Sequence, residues 1–132
     1  MAKRSQYHDH PCPEHQRWAR TYPRFPGIEE CTRLILSGKA KGVWAELIVY
    51  ELAENAETHL NEIIQMYDKH KPGDVAMYMM MALEIAQAPG SVDFLAHVLL
   101  EGDEQMKSYA QQALKRIDTR ASRTALHHAK NQ

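Results

Sequence analysis

Apolar residues recur along most of this chain at the three- and four-residue spacing of amphipathic helices. The first such segment places four apolar residues on one helical face: Ile28, Cys31, Leu34 and Ile35. The second segment, over 41–55, has a wide apolar stripe made by Val43, Trp44, Leu47, Ile48, Tyr50 and Leu52. Glycine, proline and asparagine separate the successive segments, as they do where helices end, and Asn55 is expected to end the second one in the left-handed conformation. The pattern predicts seven helices from residue 28 onward, over about 28–37, 41–55, 57–70, 74–88, 92–101, 104–117 and from 120 towards the C-terminus.

Three of these segments are similar to one another at nearly constant spacing. Residues 43–54 read VWAELIVYELAE and residues 76–87 read AMYMMMALEIAQ, an offset of 33, and ALKRI at 113–117 follows ALEIA at 82–86 at an offset of 31. A helical period in the thirties indicates stacked hairpins that bury their apolar faces against one another. We therefore predict an all-α fold, a short solenoid of three antiparallel hairpins made by the second to seventh helices.

Residues 1–27 differ from the rest of the chain. They hold four of the six prolines, which disfavour a long helix and leave room for a short one after Pro13. They also carry the large side chains of Trp18, Tyr22 and Phe25, which a solvated tail would not need. We expect residues 1–27 to cap one end of a helical repeat domain formed by residues 28–132.

The helix predicted over 74–88 is apolar nearly all round, with Met77 and three consecutive methionines at 79–81. A helix of this kind is usually buried on most sides, so we place it at the centre of the stack. Methionine runs also form adaptable binding surfaces. The helical spacing favours core packing here.

The repeats resemble HEAT repeats, and specifically the short HEAT-like repeats also found in phycobilisome lyases. The resemblance rests on Asp74-Val75 opening a helix, on ALEIA at 82–86 followed by Pro89-Gly90, and on residues 110–117 followed by Asp118 and Arg120. It covers about residues 41–127. It implies a right-handed, curved stack that binds a protein, or in some members a nucleic acid, on the concave face made by the second helix of each hairpin.

Charge is distributed unevenly, although the formal net charge is only −1. Residues 1–27 carry a net charge of +3, residues 28–105 a net charge of −9 and residues 106–132 a net charge of +5. The acidic middle is consistent with ordinary solvated helix surfaces. It is also consistent with a belt that attracts a basic partner and raises the association rate.

Common catalytic motifs are absent from the sequence. It contains no glycine-rich phosphate loop, no HExxH and no GxSxG. Iron-dependent hydroxylases built from HEAT-like repeats use His-Glu dipeptides, whereas this chain has only Glu14-His15, in the reverse order. We therefore predict a non-enzymatic protein without a cofactor.

Two groups of side chains have the chemistry of metal ligands. The first lies in the N-terminal segment and comprises His8, His10, Cys12 and His15; the imidazole and thiolate groups suit Zn²⁺, but the spacing is not that of a standard zinc finger. The second comprises His59, Glu62, Asp93 and His97 on two neighbouring hairpins. A polar tail and exposed polar side chains are the alternative interpretations, and we favour these.

The cellular compartment is predicted from the absence of a membrane span and of a secretory signal in the sequence. No apolar run approaches the roughly 18 residues of a membrane span, and the basic start has no apolar signal region. The only two cysteines, Cys12 and Cys31, fit reduced thiols better than a disulfide. We expect a cytoplasmic protein that does not bind membranes and is a monomer or weak dimer.

These observations predict a module that binds a basic protein partner, whose surface complements the acidic belt. The expected surface comprises His59, Glu62, Met66, Asp93, His97, Arg120 and Arg123. One concrete version is an immunity-type protein that neutralises a basic nuclease toxin with a rigid, preformed surface. The alternatives are a nucleic-acid-binding protein that uses the basic C-terminal helices and a metal-binding protein. The nucleic-acid alternative relies on Lys107, Lys115, Arg116, Arg120 and Arg123, and the acidic middle opposes it.

Overall fold

The computed structural model describes residues 10–131, and within this range the protein is all-helical. The described range contains eight α-helices: α1 (Pro13–Thr21), α2 (Ile28–Leu36), α3 (Val43–Glu54), α4 (Leu60–His70), α5 (Asp74–Ala86), α6 (Val92–Glu101), α7 (Glu104–Ile117) and α8 (Arg120–Lys130). A turn of 3₁₀ helix at Pro89–Ser91 leads into α6. The all-α prediction is confirmed, and each of the seven expected helices is present, with the short helix after Pro13 as α1.

The helix ends follow from local chemistry. Gly38 stops α2 with a φ of +81°, and Gln87 and Asp118 end α5 and α7 in the left-handed region. Asn55, which the sequence suggested for the same conformation, instead has a φ of −106°. Its side-chain amide donates to the Glu51 carbonyl at 2.8 Å, and its backbone N–H donates to the same carbonyl at 3.2 Å.

The packing of the helices differs from the predicted order of hairpins. Helix α5 lies between α3 and α7, and α8 packs on both α6 and α7. Between consecutive helices, the most extensive contacts join α4 to α5 and α6 to α7, rather than α3 to α4 or α5 to α6 as the predicted hairpins require. Helix α4 packs mainly on α5, the helix that follows it.

Helices α5 and α7, which are two apart in the chain, run in the same direction. Near their starts the Gln105 amide donates to Met77 Sδ at 3.8 Å, and near their ends Arg116 lies 3.9 Å from Glu84. The contacts between the two helices therefore occur start to start and end to end. Helices α4 and α6 also meet, because the Tyr67 ring contacts the Phe94 ring edge to face with centroids 5.2 Å apart.

The methionine-rich helix α5 supplies the centre of the core, as predicted. Met79, Met80 and Leu83 are fully buried, while Met77 and Met81 are half-buried. Helix α5 contacts α2, α3, α4 and α7. This is the reason that apolar residues occur on nearly all its faces.

The aromatic side chains of the N-terminal segment pack against the helices that follow it. Trp18 in α1 is fully buried and meets Trp44 of α3. Tyr22 Oη donates to Glu30 at 2.6 Å, and the Phe25 ring lies against His59. Residues 13–25 are thereby joined to α2, to α3 and to the start of α4.

Helix α3 departs from its predicted orientation. Tyr50 was assigned to an apolar stripe, but half of its surface is exposed, and the adjacent Glu51 is only 4% exposed. Apolar residues occupy almost every face of this helix, so periodicity did not determine which face turns inward. None of the helices within residues 10–131 is long and apolar enough to cross a membrane.

Candidate partner-binding surface

The residues predicted to contact a partner lie on three helices. His59 precedes the first residue of α4, which carries Glu62 and Met66; Asp93 and His97 belong to α6, and Arg120 and Arg123 belong to α8. All are exposed except His59 and Met66, which are half-buried. Because α8 packs on α6, the two arginines lie on a helix next to the one that carries Asp93 and His97.

The structure brings His59 and Glu62 together. His59 Nδ1 lies 2.8 Å from Glu62 Oε1, and the imidazole also packs on the Phe25 ring with centroids 5.3 Å apart. The two side chains keep 35% and 53% of their surface exposed, so this pair adds little to stability. The contact positions an exposed carboxylate at the start of α4.

Met66 lines a cleft of about 760 Å³ between α2 and α4. Leu36 stands beside it and is 62% exposed, the most exposed of the large hydrophobic side chains described. The rim is mixed in charge and includes Glu29, Glu30, Arg33, Lys69 and His70. Leu36 is not among the residues expected from the sequence to contact a partner, although it lies outside the buried stripe of α2.

Glu30 at the rim of this cleft is held firmly in its ionised form. Arg33 donates two hydrogen bonds to it, each 2.6 Å long, and Tyr22 donates a third. The bonds from Arg33, and then that from Tyr22, lower the pKa of Glu30 to about 2. The Glu30 carboxylate thus links α2 to Tyr22, in the segment that precedes it.

His97 lines a different cleft, of about 360 Å³, between α4, α6 and the start of α7. Tyr67, Lys71, Glu101 and Asp103 also border it, and Lys71 Nζ lies 5.7 Å from the Tyr67 ring centroid. Asp93 is one helical turn before His97 and exposed. The predicted residues on α4 and α6 therefore lie beside two separate recesses.

The two arginines of α8 differ in their surroundings. Arg123 Nη1 lies 3.0 Å from Asp118 Oδ1 and donates to the Asp118 carbonyl at 2.8 Å, which ties it back to the turn before α8. Arg120 is exposed in the first turn of the same helix. Arg123 is thus engaged in holding the α7–α8 turn.

The N-terminal metal candidates are only partly described, because His8 lies outside residues 10–131. The rings of His10 and His15 stack with centroids 3.9 Å apart, and His10 Nδ1 accepts the Cys12 backbone N–H at 3.1 Å. Burial, and then His10, lower the pKa of His15. Across the described range, no three His, Cys, Asp or Glu side chains are grouped so that they would hold a metal ion. The second candidate group, made by His59, Glu62, Asp93 and His97, therefore does not form such a site either. Both cysteines are free.

Some basic residues near the C-terminus form an ion pair, and others border a cleft. Arg116 faces Glu84 of α5. Lys107 and Lys115 border a cleft of about 690 Å³ between α7 and α8. His127 and Lys130 complete its basic rim, Leu99 and Leu126 contribute apolar surface, and Glu104 is its acidic member.

An acidic surface lies where α3 meets α5. Tyr50, Glu54 and Glu57 border a groove of about 400 Å³ whose remaining lining is apolar: Ala53, Ile85, Ala86 and Ala88. Sequence reasoning missed this groove because it took Tyr50 for a core residue. The glutamates at 46, 54 and 57 were the available signal.

Comparison with known proteins does not identify a relative. No family model matches the chain, and neither the curated proteins nor the solved structures give a match.

Proposed function

We propose that the helices form a short HEAT-like solenoid. Two features support this: the sequence repeats at offsets of 33 and 31 residues, and α5 and α7 pack in parallel, with Arg116 lying 32 residues after the Glu84 that it contacts. In such stacks each repeat contacts its neighbours in the chain. In this arrangement α1 and its aromatic residues cap the first repeat.

The function that this architecture best supports is non-enzymatic binding of a basic protein partner. The observation that carries the proposal is the presence of Glu62 and Asp93 as exposed carboxylates in the first turns of α4 and α6. The same two helices line recesses that contain Met66 and Tyr67, so charged groups accompany surfaces able to accept a side chain. Interfaces commonly combine an apolar centre with a polar rim.

An immunity-type role is the specific version that we favour. A protein of 15.2 kDa with a net charge of −9 over residues 28–105 suits a basic nuclease toxin. A preformed helical surface binds without the entropic cost of ordering loops. Cytoplasmic location is part of this proposal.

The test begins with capture of the partner from the native host at low salt and its identification by mass spectrometry. The double variant Glu62→Lys/Asp93→Lys is then compared with Glu14→Lys/Glu46→Lys, which changes the net charge equally on α1 and α3, outside the helices of the proposed surface. We expect the first variant to weaken binding at least about tenfold and to reduce its salt dependence, because it places like charges against a basic partner. Equal affinities for the two variants would exclude this surface.

Nucleic-acid binding is the second candidate, and the cleft that gathers Lys107, Lys115 and Lys130 favours it. Binding to random duplex DNA would then fall steeply with salt, since each neutralised phosphate releases counterions. The Glu62→Lys/Asp93→Lys variant would bind the duplex no more weakly than the unmodified chain. The variant therefore separates the two candidates, because it should weaken binding to a basic protein and should not weaken binding to DNA.

A further inference from the structure

The exposed edge of α3 is an acidic ridge with one aromatic side chain at its centre. Glu46, Tyr50 and Glu54 follow one another at four-residue intervals, and Glu57 follows just beyond the end of the helix. All four are exposed, and Tyr50 presents half of its surface to solvent. The i, i+4, i+8 spacing places the first three in one row, the form in which a helix presents anchors to a groove.

The cleft between α7 and α8 has the complementary chemistry. Lys107 and Lys115 stand eight positions apart on α7, which corresponds to about 12 Å along a helix. Glu46 and Glu54 stand eight positions apart on α3 and therefore have the same separation. Leu99 and Leu126 supply the apolar part of the lining, against which an aromatic ring flanked by two carboxylates would pack.

We propose that the α3 ridge of one copy of this chain docks into the α7–α8 cleft of a second copy. Tyr50 is the apolar anchor against Leu99 and Leu126. Glu46 and Glu54 face Lys107 and Lys115. The occupant is identified by charge complementarity within the chain itself: its acidic middle carries −9 and its C-terminal part +5. This association is independent of the partner-binding surface on α4 and α6.

The two halves of this contact are different surfaces of the molecule. Helices α3 and α7 both pack on α5 and not extensively on each other, so one copy can offer its ridge to one neighbour and its cleft to another. Contacts of this heterologous kind close into rings or continue as open chains.

Sedimentation velocity on the full chain tests the proposal. At 50 mM NaCl we expect the weight-average mass to rise above 15.2 kDa as the concentration increases, and at 500 mM NaCl to return to that of the monomer. Tyr50→Ser removes the anchor, and Lys107→Glu/Lys115→Glu reverses the charge of the cleft. Each should lower the association constant at least about tenfold. Arg24→Glu/Lys39→Glu, which carries the same change in charge at two exposed positions outside the described clefts, should not.

Mixing the two variants gives the decisive result. The Tyr50→Ser chain keeps an intact cleft and the cleft variant keeps an intact ridge, so an equimolar mixture should form a 1:1 complex and stop there. Failure of the mixture to associate, association unaffected by either variant, or a monomer at all concentrations at 50 mM NaCl would overturn the proposal. If circular dichroism shows that Tyr50→Ser is unfolded, Glu46→Lys/Glu54→Lys serves as the ridge variant in the same design.

Discussion

The indole rings of Trp18 and Trp44 meet edge to face, with centroids 5.1 Å apart and planes at 84°. This contact joins α1 to α3, and Trp18 is fully buried within it. Edge-to-face pairs add to the large apolar area that each ring buries. Helix α1 is therefore an integral part of the packed protein.

Replacement of Trp18 by alanine should lower the free energy of unfolding by about 3–5 kcal/mol, because it leaves a cavity between α1 and α3. Urea denaturation followed by circular dichroism measures this loss. Trp18→Phe is the matched control: the indole N–H has no hydrogen-bond partner among residues 10–131, so phenylalanine removes an unpaired donor while keeping a ring. Equal losses for the two variants would contradict the role given to ring packing.

Glu51 should make the protein less stable as the pH rises from about 4.5 to 7. Burial, and then the neighbouring Glu54 carboxylate, raise the pKa of Glu51 from 4.5 to about 7. In this interval the folded chain retains a proton that the unfolded chain has released, so stability falls across the interval and levels off above the folded pKa. The loss amounts to at most about 3 kcal/mol.

The measurement is the free energy of unfolding at pH 5 and pH 8 for the unmodified chain and for Glu51→Gln. The variant should nearly match the unmodified chain at pH 5 and exceed it at pH 8, since glutamine is uncharged at both. Titrating groups that do not interact with Glu51 affect both chains equally and cancel in the difference. The same pH dependence for Glu51→Gln and the unmodified chain would refute the assignment.

The helices could be predicted from the sequence because each is defined by the spacing of its own apolar residues and by the residue that ends it. The stripe from Ile28 to Ile35 is buried as expected, and Gly38 ends its helix. Helix α3 has apolar residues on almost every face, so the exposure of Tyr50 and burial of Glu51 depended on the positions of its neighbours. The buried face was predicted correctly for α2, where one face is clearly apolar, and wrongly for α3, where no single face is.

The candidate surface was less predictable for a related reason. The residues on α4 and α6 could be placed on the correct helices, and the close approach of His59 to Glu62 follows from their three-residue spacing. The cleft beside Met66 depends on how α2 lies across α4, and Leu36 belongs to a helix much earlier in the chain. No local pattern encodes such a contact between distant segments.

Gly102 occupies a position that admits no side chain without a shift of the backbone. A Cβ atom there would lie 2.7 Å from the Val98 carbonyl oxygen and 3.2 Å from Met106 Cβ, at the tight connection between α6 and α7. We expect Gly102→Ala to lower the free energy of unfolding by about 1–3 kcal/mol. At Gly90 the nearest atom is Leu60 Cδ2 at 3.7 Å, so Gly90→Ala should change stability by less than about 0.5 kcal/mol. Similar values for the two variants in urea denaturation would contradict this account.

The start of α8 depends on a reciprocal pair of hydrogen bonds. Ser122 N–H donates to Thr119 Oγ1 at 3.1 Å, and Thr119 N–H donates to Ser122 Oγ at 2.8 Å. Thr119→Ala should therefore cost about 1 kcal/mol and increase amide hydrogen exchange in the first turn of α8. Thr124→Ala is the control, because its exposed hydroxyl donates only to the Arg120 carbonyl within the same helix and alanine is the better helix former. Unchanged exchange in Thr119→Ala would show that packing on α6 and α7, and not the cap, determines where α8 begins.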